Sequence, residues 1–329
     1  MSITLSARRL AAAVSVIGAV AFAAPSSAQQ IQVALGDTVS VDTLAFVVGL
    51  ERAKARGFDY KLTSFSKEDL AIQAVINGQA DIGAATPYAV MQKTKAPLRI
   101  VFQLTHLVFF PVVDKAAYKS WKDLNGQPFT FHARGSGTEA IGNILAKRNG
   151  IQFGQRNYIA GSENRVVAMT NGQIKATIVD LANKNLLMQR GGDRFGILPG
   201  LDNPASDEVM FVRQDWAEKN GAKLDILVEE FLKLWTEMNK NPAVIEQERA
   251  RLNLLKDLPK EVLADVTKFH QQGVDNRVFS KNGGGIDAAK SDFEFYTEAG
   301  QMTGPAESLK VEDFWDLRPL NKARAKLGS

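Results

Sequence analysis

Apolar positions in this chain switch between short strand-like runs and helical spacing in a regular order. The run IQVALGD at residues 31–37 predicts a buried strand ended by a Gly-Asp turn. Leu44, Val47, Val48 and Leu50 then recur at helical spacing, with Gly57 as a stop. FDYKLTSF returns to strand alternation, and Ser66-Lys67-Glu68-Asp69 predicts a helix start, with Ser66 as N-cap and Asp69 in the capping-box place. Strand, helix, strand, helix predicts a parallel sheet, and such sheets hold ligands beyond the carboxyl ends of their strands.

A weak internal repeat follows. Asn77-Gly78-Gln79 recurs 94 residues later as Asn171-Gly172-Gln173, each time after an apolar helix-like stretch and before a strand-like one, IGAA or ATIV. Thr86 and Asp180 occupy matching places after those strands, so the chain reads as two similarly wound α/β lobes. Two apolar stretches, around residues 103–113 and 208–213, predict crossings between the lobes. The first lobe is then discontinuous, residues 29–107 plus 206–329, and the second covers 108–205, with a two-stranded hinge between them. Beyond Trp216, Ile226, Leu227, Phe231, Leu234, Trp235 and Met238 form one helical stripe read as core. KNGGG at 281–285 reads as a flexible connection, and Phe314 and Trp315 as a tail docked on the first lobe.

The start of the chain changes the compartment. Arg8 and Arg9, an uncharged Ala/Val-rich run over residues 10–24 and Ser26-Ser27-Ala28 make an export signal, residues 1–28, cleaved after Ala28. The apolar run is shorter than the roughly 20 residues of a membrane-spanning helix, and the residues flanking the arginines favour general secretion over the twin-arginine route. Without Arg8 and Arg9 the formal net charge of +4 becomes +2, with Lys and Arg spread among Asp and Glu, which is no footprint for nucleic acid. Cysteine is absent, so stability rests on burial and no lipid-modified cysteine can anchor the mature chain. These features predict a monomer free in the periplasm.

IQVALGDTVS, VINGQADIGAATPYAV, KSWKDLNGQPFTF and TNGQIKATIVD, in this order, resemble the nitrate/sulfonate/taurine-type (NMT1-like) substrate-binding proteins of ABC transporters, a group that includes pyrimidine-precursor binders. Gly78, Asp81 and Ile82 match the first-lobe pattern, whereas Lys175 stands where the second lobe of the family has an acidic residue. The resemblance covers essentially the whole mature chain. It implies a two-lobe periplasmic-binding-protein fold of type II, a ligand in the interlobe cleft, and an inner-membrane permease with its ATPase as partners.

Candidate binding residues follow from strand ends and helix starts. Gly135-Ser136-Gly137-Thr138 after His132 and Arg134 offers a helix N-terminus with close backbone approach, a place for an anion, and Arg134 adds a bidentate fork. From the first lobe come Asp37, Thr38, Val39 and Ser40, then Phe65 and Ser66, then Thr86, Pro87 and Tyr88, with Phe65 and Tyr88 as a possible aromatic sandwich. His106 in the first crossing, Asn164 with Ser162 and Glu163 in a helix-start loop, and Asp180 complete the set. Core packing, turns and N-capping are the plain alternatives for each. The expected ligand is a small organic anion, a sulfonate or carboxylate, with a neutral pyrimidine-like solute as the alternative. No cofactor or metal is called for. There are three histidines and no HExxH, GxSxG, dinucleotide GxGxxG or zinc-spaced set, so the chain reads as a binder or a ligand-sensing module, not an enzyme.

Overall fold

The computed structural model describes residues 30–201 and 205–328, so the expected export segment lies outside the described residues. Strands β1 (Ile31–Leu35), β2 (Tyr60–Ser64), β3 (Ile82–Ala85) and β4 (Leu98–Gln103) come first. They are followed by β5 (Phe109–Asp114), β6 (Phe129–Phe131), β7 (Arg156–Tyr158), β8 (Ala176–Asp180) and β9 (Phe195–Ile197), and finally by β10 (Val209–Arg213). Two five-stranded sheets result, ordered β2-β1-β3-β10-β4 and β7-β6-β8-β5-β9. Each obeys one rule. The second strand in each order, β1 or β6, pairs parallel with two neighbours, and a strand that has just crossed from the other lobe, β10 or β5, inserts antiparallel.

The Asn-Gly-Gln repeat is the local cause of this duplication. Helices Glu68–Ile76 and Ser162–Thr170 both end at an asparagine C-cap, Asn77 or Asn171. Gly78 (φ +73°) and Gly172 (φ +72°) then take the left-handed conformation that glycine adopts without strain. Gln79 and Gln173 return their N–H groups to the carbonyls of Ala74 and Ala168, which aims both chains into buried strands. The helix expected to begin at Ser66 begins at Glu68 with Lys67 as N-cap and no side-chain cap. Ser66 is exposed.

Helix Gly221–Lys240 packs its stripe, with Leu227, Phe231, Leu234, Trp235 and Met238 all buried, behind the first sheet. Gly49 on helix Leu44–Lys54 lets the Phe231 ring approach, since a Cβ there would lie 2.7 Å from it. KNGGG is no flexible connector: Gly283, Gly284 and Gly285 all have positive φ, and Gly283 accepts the Gln103 N–H at 2.8 Å while pressing on Phe102. Phe314 and Trp315 are buried against the first lobe.

The two crossings are bound to each other. Leu104 and Thr105 donate to the Glu208 carbonyl, Asp207 donates to that of Thr105, and Leu107 to that of Ala205. A fully buried carboxylate, Asp292 on helix Ile286–Glu298, anchors this ladder by accepting from the Ser206 N–H at 2.6 Å and its hydroxyl at 2.7 Å. Tyr88 is a second donor to Asp292 and itself accepts from the Trp315 indole at 2.9 Å. Tyr88 is therefore core, stacked on Tyr296 at 5.2 Å, and cannot face a ligand. Helix Ile286–Glu298 also ties the lobes at the back: Glu298 pairs with Arg148, and the following turn holds Asn143 and Ser136 through Ala299 and Gln301.

Candidate ligand-binding cleft

Between the lobes lies a cavity of about 130 Å³, close to the roughly 150 Å³ of an apolar cavity that takes benzene. Its walls come from both sheets at strand ends, as open α/β sheets dictate. The first lobe supplies Asp37 after β1, Asp42 and Thr43 before helix Leu44–Lys54, and Glu68 at the first position of its helix. The second supplies His132 after β6, Ser136, Gly137 and Thr138, then Ser162, Glu163, Arg165 and Asp180. The hinge adds Thr105, His106, Asp207 and Glu208. One side is apolar, built by Val108 and Phe109 with Phe269, Val278 and Phe279 around helix Val266–Asp275.

Seven carboxylates thus face one guanidinium. Burial pushes Asp37 up to about 6 and Glu68 up to about 7, with the neighbouring acids adding to each. Asp42, Asp207 and Glu208 are raised well above the usual carboxylate range by the loss of bulk water and by the charge of nearby acids, Asp37 among them in each case. At ~5 Å and an effective dielectric of about 20, two like unit charges repel by about 3 kcal/mol. A cation entering among acids so arranged offsets their mutual repulsion. They do not form a metal cage: no metal-binding group of His, Cys, Asp or Glu occurs among the described residues.

Arg165, 1% exposed, does not neutralise the cluster by direct pairing. Its three nitrogens donate to the carbonyls of Ile178 and Ile159 and the hydroxyl of Ser162, at 2.8–3.0 Å. It welds β8 to the start of its own helix, Ser162–Thr170, which precedes that strand, and burial lowers it to about 10.

Among the residues expected from sequence, the cleft gathers Asp37, His106, His132, Ser136, Gly137, Thr138 and Asp180, together with Ser162 and Glu163. Arg134 is exposed, outside the lining, with its guanidinium over the Tyr158 ring at 5.6 Å. Part of the helix start beside it is bound within the second lobe, while Ser136, Gly137 and Thr138 line the cleft. Ser136 caps Glu139, whose buried carboxylate accepts from the Gly135 N–H at 2.7 Å and Tyr158 at 2.6 Å. Asp207 reaches the other flank, where a Cβ on Gly137 would meet its carboxylate at 3.1 Å. Of the two grounds for an anion subsite, the Arg134 fork stands outside the cleft and the helix start lies on its wall. Thr38, Val39, Ser40, Phe65, Ser66, Pro87 and Asn164 also lie off the cleft. Thr38, Val39, Ser66 and Asn164 are exposed, and Phe65 packs on the core. Thr86 is buried and spends its hydroxyl on the Asp207 carbonyl at 2.7 Å. Asp180 lines the cleft and also caps the next helix by accepting from the Asn183 N–H at 2.9 Å.

Sequence reasoning passed over Asp42, Glu68, Arg165, Asp207, Glu208 and the Phe269–Phe279 wall. The adjacent acids Asp207 and Glu208 inside an otherwise apolar crossing were the available signal.

The profile of the NMT1/THI5-like family matches residues 54–245. No curated protein matches at a significant level. Among solved structures, a protein from Bordetella bronchiseptica RB50 superposes with TM-score 0.72 at 18% identity, over 91% of this chain and 98% of that one. The nitrate-binding protein NrtA of Synechocystis PCC 6803 gives 0.67 at 13%, over 91% and 88%. The alkanesulfonate-binding protein SsuA of Xanthomonas axonopodis pv. citri, bound to MOPS, gives 0.62 at 17%, over 87% and 98%. The two sheets with their paired crossings are a two-lobe periplasmic-binding-protein fold.

Proposed function

The chain belongs to the NMT1/THI5-like family, and from that membership we propose that it is the periplasmic solute-binding component of an ABC importer, specialised for a small organic cation. Capture proceeds by closure of the lobes about the paired crossings, and the closed form is delivered to a permease with its ATPase. The observation that carries the charge preference is the excess of carboxylates lining a cavity of about one-ring size, with Arg165 committed to neutral acceptors. An ammonium group entering there supplies the positive charge that the acids lack, while Phe109, Phe269 and Phe279 receive the apolar body of the solute.

The sulfonate or carboxylate expected from sequence loses the Arg134 fork, which stands outside the cleft, and keeps only the helix start at Ser136, Gly137 and Thr138. A weakly basic aminopyrimidine-type ring is a second reading, favoured by Glu68 at about 7, which can give such a ring its proton. A thermal-shift screen of the purified protein with amines, quaternary ammonium salts, pyrimidines, sulfonates and carboxylates tests both. A ligand at 100 times its Kd stabilises by about 2.7 kcal/mol, which for a chain of this size is a shift of several degrees. Shifts with amines support the cation. Shifts with pyrimidines alone select the second reading, and shifts with sulfonates or carboxylates alone refute both.

A further inference from the structure

His132 carries an inference that deepens the cation reading and rests on it. The ring follows β6 in the second lobe, and its Nδ1 accepts the Gly161 N–H at 3.2 Å. With that lone pair spent, the proton of the neutral ring sits on Nε2. Burial, aided by Arg165, holds the imidazole at about 3, so the ring stays neutral at physiological pH. Nε2 is buried, lines the cleft and has no hydrogen-bond partner among the described residues. Glu68 Oε1 of the first lobe stands 3.6 Å away, beyond hydrogen-bond reach. Oε2 of the same carboxylate is taken by the Thr86 N–H at 3.0 Å, so Oε1 is the oxygen left to face the ring.

A donor on one lobe thus confronts an acceptor on the other, with neither satisfied by its counterpart. An ammonium group can only donate and a carboxylate or sulfonate only accept. A hydroxyl does both, accepting a hydrogen bond from Nε2–H and donating one to Oε1. We propose that His132 and Glu68 read a hydroxyl group on the solute, which is therefore a small ammonium compound with a hydroxyl beside its charge. Because the two readers belong to different lobes, the hydroxyl is bound in full only when the cleft is closed.

The test is calorimetric titration at pH 8 with two matched pairs, 2-aminoethanol against ethylamine and choline against ethyltrimethylammonium. The hydroxylated member of at least one pair binds about tenfold tighter to the wild-type protein, because the analogue lacking the group leaves a buried donor unmet. His132→Phe abolishes that preference, and His132→Asn, which keeps an N–H donor, restores part of it. The wild-type comparison needs no variant and decides the matter even where a substitution prevents folding. Equal binding of both members of each pair overturns this inference alone, as does a full preference retained in His132→Phe. Failure of every ammonium probe to bind overturns the cation reading, and this inference with it.

Discussion

On the outer side of the first lobe, Glu229 meets Arg56, Lys233 and Lys326 at 2.7–3.0 Å, and Glu248 meets Arg52 and Arg251 at 2.6–2.8 Å. Around the cleft, Asp37, Asp42, Asp207 and Glu208 have no basic partner within ion-pair distance among the described residues, and Glu68 has only the neutral His132. Titration separates the two groups. Against burial, which acts to raise it, hydrogen bonds from Lys233, Lys326 and Arg56 bring Glu229 down to about 2. Burial without such partners takes Glu68 to about 7. Where the chain needs only to hold together, its acids are matched from within. Where several acids lining one cavity are left unmatched, a charge from outside can match them, which is the physical mark of a site.

The contrast breaks most sharply at Asp207. Asp207→Asn removes a carboxylate that an ammonium group would contact, and a charge-assisted hydrogen bond is worth about 1.5–3 kcal/mol. Affinity for an ammonium ligand should fall by about thirtyfold in a calorimetric titration, while the melting point of the empty protein holds or rises as repulsion is relieved. A stabilising role for Asp207 would show instead as a lower Tm with unchanged affinity.

Next in size is the pH response. Asp37, Glu68 and Asp292 have folded-state pKa values of about 6, 7 and 7, above their ordinary 3.8, 4.5 and 3.8. Their stabilisation is complete below those ordinary values and is lost as pH rises through 6 to 7. His132 and His270, lowered to about 3 and 4, contribute fully above 6.5 and lose their contribution only as pH falls. Between pH 6.5 and 8 the acids alone decide the sign, so Tm of the ligand-free protein drops by a few degrees, and a saturating cation flattens the drop. A Tm that rises over this window contradicts the assignment.

Smaller effects lie on the paired side. Glu229→Gln should cost about 1 kcal/mol, because its three partners can return to water, and denaturant melts should show that loss with ligand affinity unchanged. Arg134→Ala should alter affinity by less than about twofold, its side chain resting on Tyr158 outside the cleft. A tenfold loss would return the anion subsite to consideration.

These residues also show what sequence can and cannot convey. Asn77-Gly78-Gln79 and Asn171-Gly172-Gln173 announced the duplicated winding because a helix stop by a left-handed glycine is a local event. Asp37, His132 and Asp180 were legible as strand ends, which an open α/β sheet always turns toward its ligand. Arg134 misled because the strand stops at Phe131, and the direction of a side chain three residues later is set by Tyr158, 24 positions away. Asp207, Glu208 and the Phe269–Phe279 wall reach the cleft only through the pairing of the crossings and the return of the helical tail. The pair of adjacent acids in the crossing is the single local trace of those contacts.

Calorimetric titration at pH 8 with ethylammonium and with ethanesulfonate, one skeleton carrying opposite charges, tests the central claim most directly. The acidic cleft predicts that heat of binding is seen for ethylammonium and none for ethanesulfonate. Binding of ethanesulfonate with none of ethylammonium would contradict it.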